Sequence, residues 1–444
     1  MTSFFHAYDL RGKYPDEIGP EEARNVGKAF GTFVDSDEVL IGRDGRLHAD
    51  EITDAFIDGV LSTGTNVIYA GMVPTPVVYF GMVENDIDYS AVVTASHNPP
   101  EYTGFKFCRE NALAMSREGG MAEIEGIYTE EDYETGKGVK TNIELVDDYV
   151  GFVKDRIELE EELNIAVNFG NGVTGVTGRK LLEEIGCELE TINEEIDGRF
   201  PNHLPAPTQE KAQEQLMEIM DRKDLGVLFD GDGDRAGFVL PKTGYIEGDK
   251  VLAVFAEECL KIEKGKVVHD LMTSKLVPER IEKNGGEPVE TRVGHTFISE
   301  RIHSDSDIVF AGELSGHYYF PVFDMPWDDG LFSATLMCQT VSRRDVDSLV
   351  SSFPKYPVSP ELRIDCPHGA KQEVVDRIAD YFSDHEISTI DGVKIYFDRG
   401  WALVRPSNTE PKMSVRCEAD TQDALKEIRE KVETKVRTYI EEAT

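Results

Sequence analysis

Residues 39–96 read VLIGRD (39–44), ADEITDAFIDGVLSTG (49–64), NVIYAG (66–71) and YSAVVTAS (89–96), three short apolar runs with one amphipathic segment between the first two. An apolar run of four to eight residues is a buried strand, and the apolar spacing of the longer segment is helical, so this alternation predicts α/β layers. The same rhythm restarts at NIAVNF (164–169), with a helix-like TGRKLLEEIG and a strand-like ELETIN after it, and again at GDKVLAVFAEECLKIE (248–263) and KVVHDL (266–271). The last ninety residues, roughly, break the rhythm. They hold strand candidates ELRIDC, GVKIYFD, WALVRPS and MSVRCEA, then a helix in which Leu425, Ile428, Val432, Val436 and Ile440 form one apolar stripe. The expectation is three similar mixed-sheet α/β domains plus a smaller α+β carboxyl-terminal domain, divided as 1–143, 144–242, 243–353 and 354–444. No literal repeat at a fixed period is present.

The 444 residues include 46 Lys+Arg and 85 Asp+Glu, a formal net charge of −39. That charge repels nucleic acid and anionic membrane surfaces, so neither is expected as a partner, and any phosphate site has to be locally basic. The acid excess is spread along the chain, a surface chemistry like that of proteins from salty cytoplasm. The start, MTSFFHAYDLRG, lacks the basic residues and apolar core of a signal peptide, and no uncharged apolar run reaches the roughly 20 residues that span a bilayer. A cytoplasmic location is expected. The six cysteines are scattered with no CxxC pair and read as free thiols.

Four segments carry candidate chemistry. Asp230-Gly231-Asp232-Gly233-Asp234-Arg235 follows the apolar run Gly226–Phe229, so a buried strand ends in a tight loop with three carboxylates. Alternating glycines let them converge, and converging carboxylates call for a hard cation, with magnesium the natural occupant. An EF-hand is excluded, because Arg235 stands where its glycine belongs and Pro241 where its bidentate Glu belongs. Thr94-Ala95-Ser96-His97-Asn98-Pro99-Pro100 places a serine just past a buried strand, suited to act as nucleophile or phosphate carrier. A Ser96–His97 hydrolase dyad is set aside, since neighbours in an extended loop point apart and no G-x-S-x-G elbow is present. Gly312-Glu313-Leu314-Ser315-Gly316-His317 offers donors and acceptors for sugar hydroxyls. Arg405-Pro406-Ser407-Asn408-Thr409-Glu410-Pro411-Lys412 offers a phosphate cradle with Arg405 as a bidentate clamp. Against these stands Gly170-Asn171-Gly172-Val173-Thr174-Gly175, a G-x-G-x-x-G match with Glu190 about 20 residues on, the pattern of an NAD-dependent oxidoreductase.

In this order, TASHNPPEYTGFK, DGDGDR, GELSGH and RPSNTEPK resemble the α-D-phosphohexomutase family, and AYDLRG, FPNHLPAP (200–207) and RVGHTFI (292–298) extend the match over the whole chain. Leu314, where a phosphoglucosamine mutase typically has Gln, favours the phosphomannomutase/phosphoglucomutase-like branch, with phosphoglucosamine mutase as the alternative. Met272 departs from that branch, some of whose members have a substrate-binding Lys there. The resemblance implies four domains around a central cleft and interconversion of hexose 1- and 6-phosphates. It implies that Ser96 carries a phosphoryl group and that Asp230, Asp232 and Asp234, with an oxygen on Ser96, hold Mg2+. Arg11, Lys106, Arg235 and His295 would flank the reacting oxygens, with Lys106 as general base, its pKa lowered by the Arg11 and Arg235 guanidiniums. Glu313 and Ser315 would hold sugar hydroxyls, and Arg405, Ser407, Asn408 and Thr409 the phosphate that is not reacting. A hexose 1,6-bisphosphate would be intermediate and activator.

Overall fold

The computed structural model describes residues 4–6, 9–407 and 411–443. Its strands form four sheets. In the first, Asn66–Met72, Glu38–Arg43 and Ser90–Val93 run parallel, and Tyr102–Arg109 and Leu10–Lys13 add antiparallel beyond them. The second repeats the arrangement with Cys187–Ile192, Leu163–Asn168 and Leu225–Phe229 parallel and Ala236–Leu240 antiparallel. The third does so with Glu287–Thr291, Lys266–Asp270 and Ile308–Gly312 parallel and Tyr318–Phe320 antiparallel. The repeat that no sequence period reveals is thus present in topology.

This repetition decides where the motifs go. In each module the third parallel strand, buried along its whole length, crosses into the first antiparallel strand. The three crossings carry Thr94–Pro100, Asp230–Arg235 and Glu313–His317. Strand ends are where side chains leave the packed sheet and become free to do chemistry, so equivalent loops carry Ser96, the three aspartates and the polar residues Glu313, Ser315 and His317.

The fourth sheet is antiparallel throughout, in the order Leu362–Asp365, Lys412–Ala419, Gly400–Pro406, Val393–Phe397, Glu386–Ser388. The terminal helix Gln422–Ala443 packs on it with Leu425, Ile428, Val432, Val436 and Ile440 buried. One apolar core runs through the first three modules, from Leu40 to Phe353, whereas the fourth has its own. A small cluster of Leu271, Trp401 and Leu403 joins fourth to third, flanked by Met272. All six cysteines are free and buried. Among the described residues no helix is long and apolar enough to cross a membrane.

Candidate active site

Ser96 is fully buried, and its φ of 47° lies in the left-handed region that a non-glycine residue enters only when its surroundings require it. Its Oγ donates to Asp230 Oδ2 at 2.9 Å, across the boundary between the first two modules. The left-handed turn has a second effect, which corrects the expectation that Ser96 and His97 point apart: Ser96 Oγ lies 3.3 Å from His97 Nδ1. That ring is no hydrolase base, because Arg235 Nη2 also faces the same nitrogen at 3.0 Å. Arg235 first and burial second hold His97 neutral, with its pKa lowered to about 2.

The three aspartates do converge. Asp230, Asp232 and Asp234 are fully buried, and each contributes an oxygen to a cluster within 4.8 Å. Gly233, at φ 83°, provides the turn, and Gly233 N donates to Asp230 Oδ1 at 2.9 Å. Asp232 Oδ2 accepts from Thr75 Oγ1 at 2.8 Å, while Asp232 Oδ1 and Asp234 Oδ1 have no hydrogen-bond partner. Burial, then the neighbouring carboxylates, push Asp230 well above its ordinary range. Burial acts the same way on Asp232 and Asp234, but Lys106 and Thr75 around the first, and Lys106, His317 and Arg235 around the second, together keep both low. Orphaned carboxylate oxygens in a buried, all-oxygen cluster fit a hard divalent cation.

Lys106 sits on Tyr102–Arg109 opposite Val92 and donates to Asp232 Oδ2 at 2.7 Å and to Asp234. This overturns the expected lowering of its pKa. Burial does pull the ammonium down, but its partners are carboxylates rather than guanidiniums, and the net direction is upward. Arg11 is turned elsewhere, to Asp9 at 2.7 Å and to Asn98 Oδ1 at 2.8 Å.

His295 opens the helix His295–Ser304, with Nδ1 unpartnered and 3.8 Å from Asp328 Oδ2. Burial, His317 and Lys106 lower its pKa to about 3, so the imidazole is neutral. Its ring stacks on His317, centroids 5.4 Å apart. His317 is opposite in character: burial and Arg235 oppose its charge, but Asp234 and Glu313 raise its pKa to about 10. Glu313 Oε1 lies 2.5 Å from His317 Nδ1 and also accepts from Ser315 Oγ, so the sugar-type loop is bonded within itself. His317 and Asp328 are site residues that the sequence reading left without a role; the only signal for His317 was its place at the end of GELSGH.

Arg405 and Ser407 stand in a second network. Arg405 Nη2 pairs with Asp391 Oδ2 at 2.7 Å, and Nη1 lies 3.9 Å from Met272 Sδ. A cavity of about 160 Å³ opens beside Arg405 and Ser407, lined also by Arg363, Lys412 and one carboxylate, Glu361, so that cations outnumber anions there in an otherwise acidic chain. Asn408 and Thr409 lie outside the described residues. The GNGVTG turn has spent its amides internally: Asn171 N, Gly172 N and Val173 N donate to Asn193 O, Phe169 O and Gly231 O. A Cβ on Gly172 would lie 2.8 Å from Gly231 O, so this glycine serves close packing under the aspartate loop, and no amide row faces a dinucleotide.

Models of the four domains described as phosphoglucomutase/phosphomannomutase, alpha/beta/alpha domains I, II and III and C-terminal domain, match residues 2–135, 147–244, 247–356 and 361–435. The chain belongs to the phosphoglucomutase/phosphomannomutase family. It is 34% identical to a phosphomannomutase of Methanocaldococcus jannaschii over 95% of each chain. A phosphomannomutase/phosphoglucomutase of Pseudomonas aeruginosa is 33% identical over 96% of this chain and 94% of the other. A solved phosphoglucomutase/phosphomannomutase family structure from Burkholderia thailandensis superimposes with a TM-score of 0.91 at 32% identity, covering 99% of this chain and 98% of that one. A phosphohexomutase of this family is an isomerase, and the mixed-sheet modules with an antiparallel fourth domain are its fold.

Proposed function

We propose that this phosphohexomutase interconverts the 1- and 6-phosphates of glucose and mannose through a phosphoryl group carried on Ser96. The observation that supports it most is the 2.9 Å contact of Ser96 Oγ with Asp230, which sets the only serine of its loop against a buried triad of carboxylates. Ser96 gives its phosphoryl to the free hydroxyl of the hexose phosphate, making a 1,6-bisphosphate and leaving the serine hydroxyl. The intermediate turns end over end, and its other phosphate returns to Ser96. Added bisphosphate would restore enzyme that has lost its phosphoryl group.

Asp230, Asp232 and Asp234, with an oxygen on Ser96, would hold Mg2+, which would supply charge neutralisation at the moving phosphoryl group. His295, neutral and with Nδ1 lacking a hydrogen-bond partner, would flank the reacting oxygens. Lys106 and Arg235 serve as cations beside the transferring oxygens. Glu313 and Ser315 exchange their internal bond for sugar hydroxyls, and Arg405, Ser407, Asn408 and Thr409 hold the distal phosphate. We read the spread acid excess as that of a cytoplasmic protein suited to high salt.

The test is a coupled mutase assay on glucose 1-phosphate and mannose 1-phosphate, with Mg2+ and glucose 1,6-bisphosphate. Turnover of both is expected. Turnover of glucosamine 1-phosphate alone would assign the chain to the glucosamine branch.

A further inference from the structure

Both peptide groups of Ser96 end on one buried ion pair in the loop after Glu38–Arg43. Arg46, 5% exposed, donates through Nη2 to Ser96 O at 2.7 Å and Asn98 O at 2.6 Å, and through Nη1 to Pro99 O at 2.8 Å and Tyr102 O at 3.0 Å. Its Nε lies 3.3 Å from Asp44 Oδ2. That same carboxylate oxygen accepts from Thr94 Oγ1 at 2.7 Å, and Thr94 Oγ1 accepts in turn from Ser96 N at 2.8 Å. The carbonyl of Ser96 is therefore tied through Arg46, and its N–H through Thr94 and Asp44. We propose that Arg46 is the positioning residue that fixes Ser96 for phosphoryl transfer; the proposal rests on the reading of Ser96 as carrier.

The chemistry explains why an arginine stands here. Two consecutive prolines strip the loop of N–H groups, so its inward carbonyls need an outside donor, and a planar guanidinium satisfies four at once. An ammonium has only three donors on one nitrogen and cannot span them. Fixing the Ser96 carbonyl fixes the opposite side of the left-handed turn, which sends Oγ toward Asp230. The guanidinium also lies over the Phe200 ring, 5.1 Å from its centroid, so it is wedged by the second module. The segment that begins at Phe200 also braces the carboxylates, because Gly231 N donates to Pro205 O at 3.1 Å. FPNHLPAP thus touches both the aspartate loop and the arginine that ties down the serine loop. The Arg46 side chain is 3% exposed and both its Nη nitrogens are taken by loop carbonyls, so it acts through Ser96 rather than on a substrate.

The test compares full-length wild type with Arg46→Lys and Arg46→Met. It reads kcat, KM for glucose 1-phosphate, and the rate at which glucose 1,6-bisphosphate phosphorylates Ser96, followed by intact mass. A loop displaced by about an ångström costs on the order of a hundredfold, so Arg46→Met is expected to lose that much in kcat and in phosphorylation rate, with KM held within about threefold. Arg46→Lys is expected to recover part of the loss. Wild-type kcat in both variants, or a KM that rises as far as kcat falls, would overturn the role. If Arg46→Met does not fold, Arg46→Lys decides alone: lowered kcat at unchanged KM supports the proposal, and unchanged kcat overturns it. A wild type that turns over substrate while Ser96 never takes a phosphoryl group overturns the carrier reading, and Arg46's role with it.

Discussion

Arg405 is held by Asp391, which also accepts from Val293 N at 3.3 Å, so the proposed phosphate clamp of the fourth domain is oriented from the third. Arg405→Ala is expected to weaken binding of substrate and bisphosphate alike by about 1.5–3 kcal/mol, the worth of a charge-assisted hydrogen bond, seen as a raised KM. Unchanged KM and kcat would remove Arg405 from the site. His269 is expected to set part of the acid response. It is buried, its Nε2 has no partner, and burial lowers its pKa to about 4. Between about 4 and 6.5 the unfolded chain binds a proton that the folded chain refuses, so stability falls as pH falls through that window, by about 2 kcal/mol from pH 6.5 to 5. Thermal melting of His269→Gln should fall less than that of wild type on this acidification; equal falls would contradict the assignment. At this scale the sequence displayed Ser96 and the three aspartates, because their chemistry is written in residue type and spacing. It concealed what Lys106 faces and that His97 turns back to Ser96, since the first depends on partners more than a hundred residues away and the second on a left-handed φ.

The loops after equivalent strands meet with almost no clearance. A Cβ on Gly231 would lie 2.4 Å from Ser96 O, a backbone atom that cannot rotate away. Gly231→Ala should push the serine and aspartate loops apart and lower kcat at least tenfold, about 1.4 kcal/mol in the barrier, while the circular dichroism spectrum is kept. Wild-type kcat in Gly231→Ala would show that the contact is slack. The strand and helix rhythm was legible at this scale, as was the stripe of the terminal helix, because burial imposes periods of two and 3.6 on any sequence. The equivalence of the three crossing loops was not. TASHNP, DGDGDR and GELSGH share no common pattern of residues, only a position at the switch from parallel to antiparallel pairing, and that position exists only once strand order is known.

At the scale of the molecule, a net charge of −39 makes self-repulsion a standing cost of the compact state. Screening shortens from about 10 Å at 0.1 M salt to about 3 Å at 1 M, so melting temperature should rise with potassium chloride over that range; a flat or falling trend would contradict the high-salt reading. The buried carboxylates should respond far less, which separates the surface from the site. The proposed reaction depends most on Ser96 as its covalent carrier. The direct measurement is to isolate wild-type protein, map its phosphorylation by intact mass and peptide analysis, and add excess glucose 6-phosphate with Mg2+. The expected result is one phosphoryl group on Ser96 which, once labelled from heavy-oxygen glucose 1,6-bisphosphate, passes to the sugar while an unlabelled phosphate of the substrate takes its place, with Ser96→Ala carrying none and turning over nothing. A labelled phosphoryl group that stays on Ser96 through turnover, or full activity in Ser96→Ala, would contradict it.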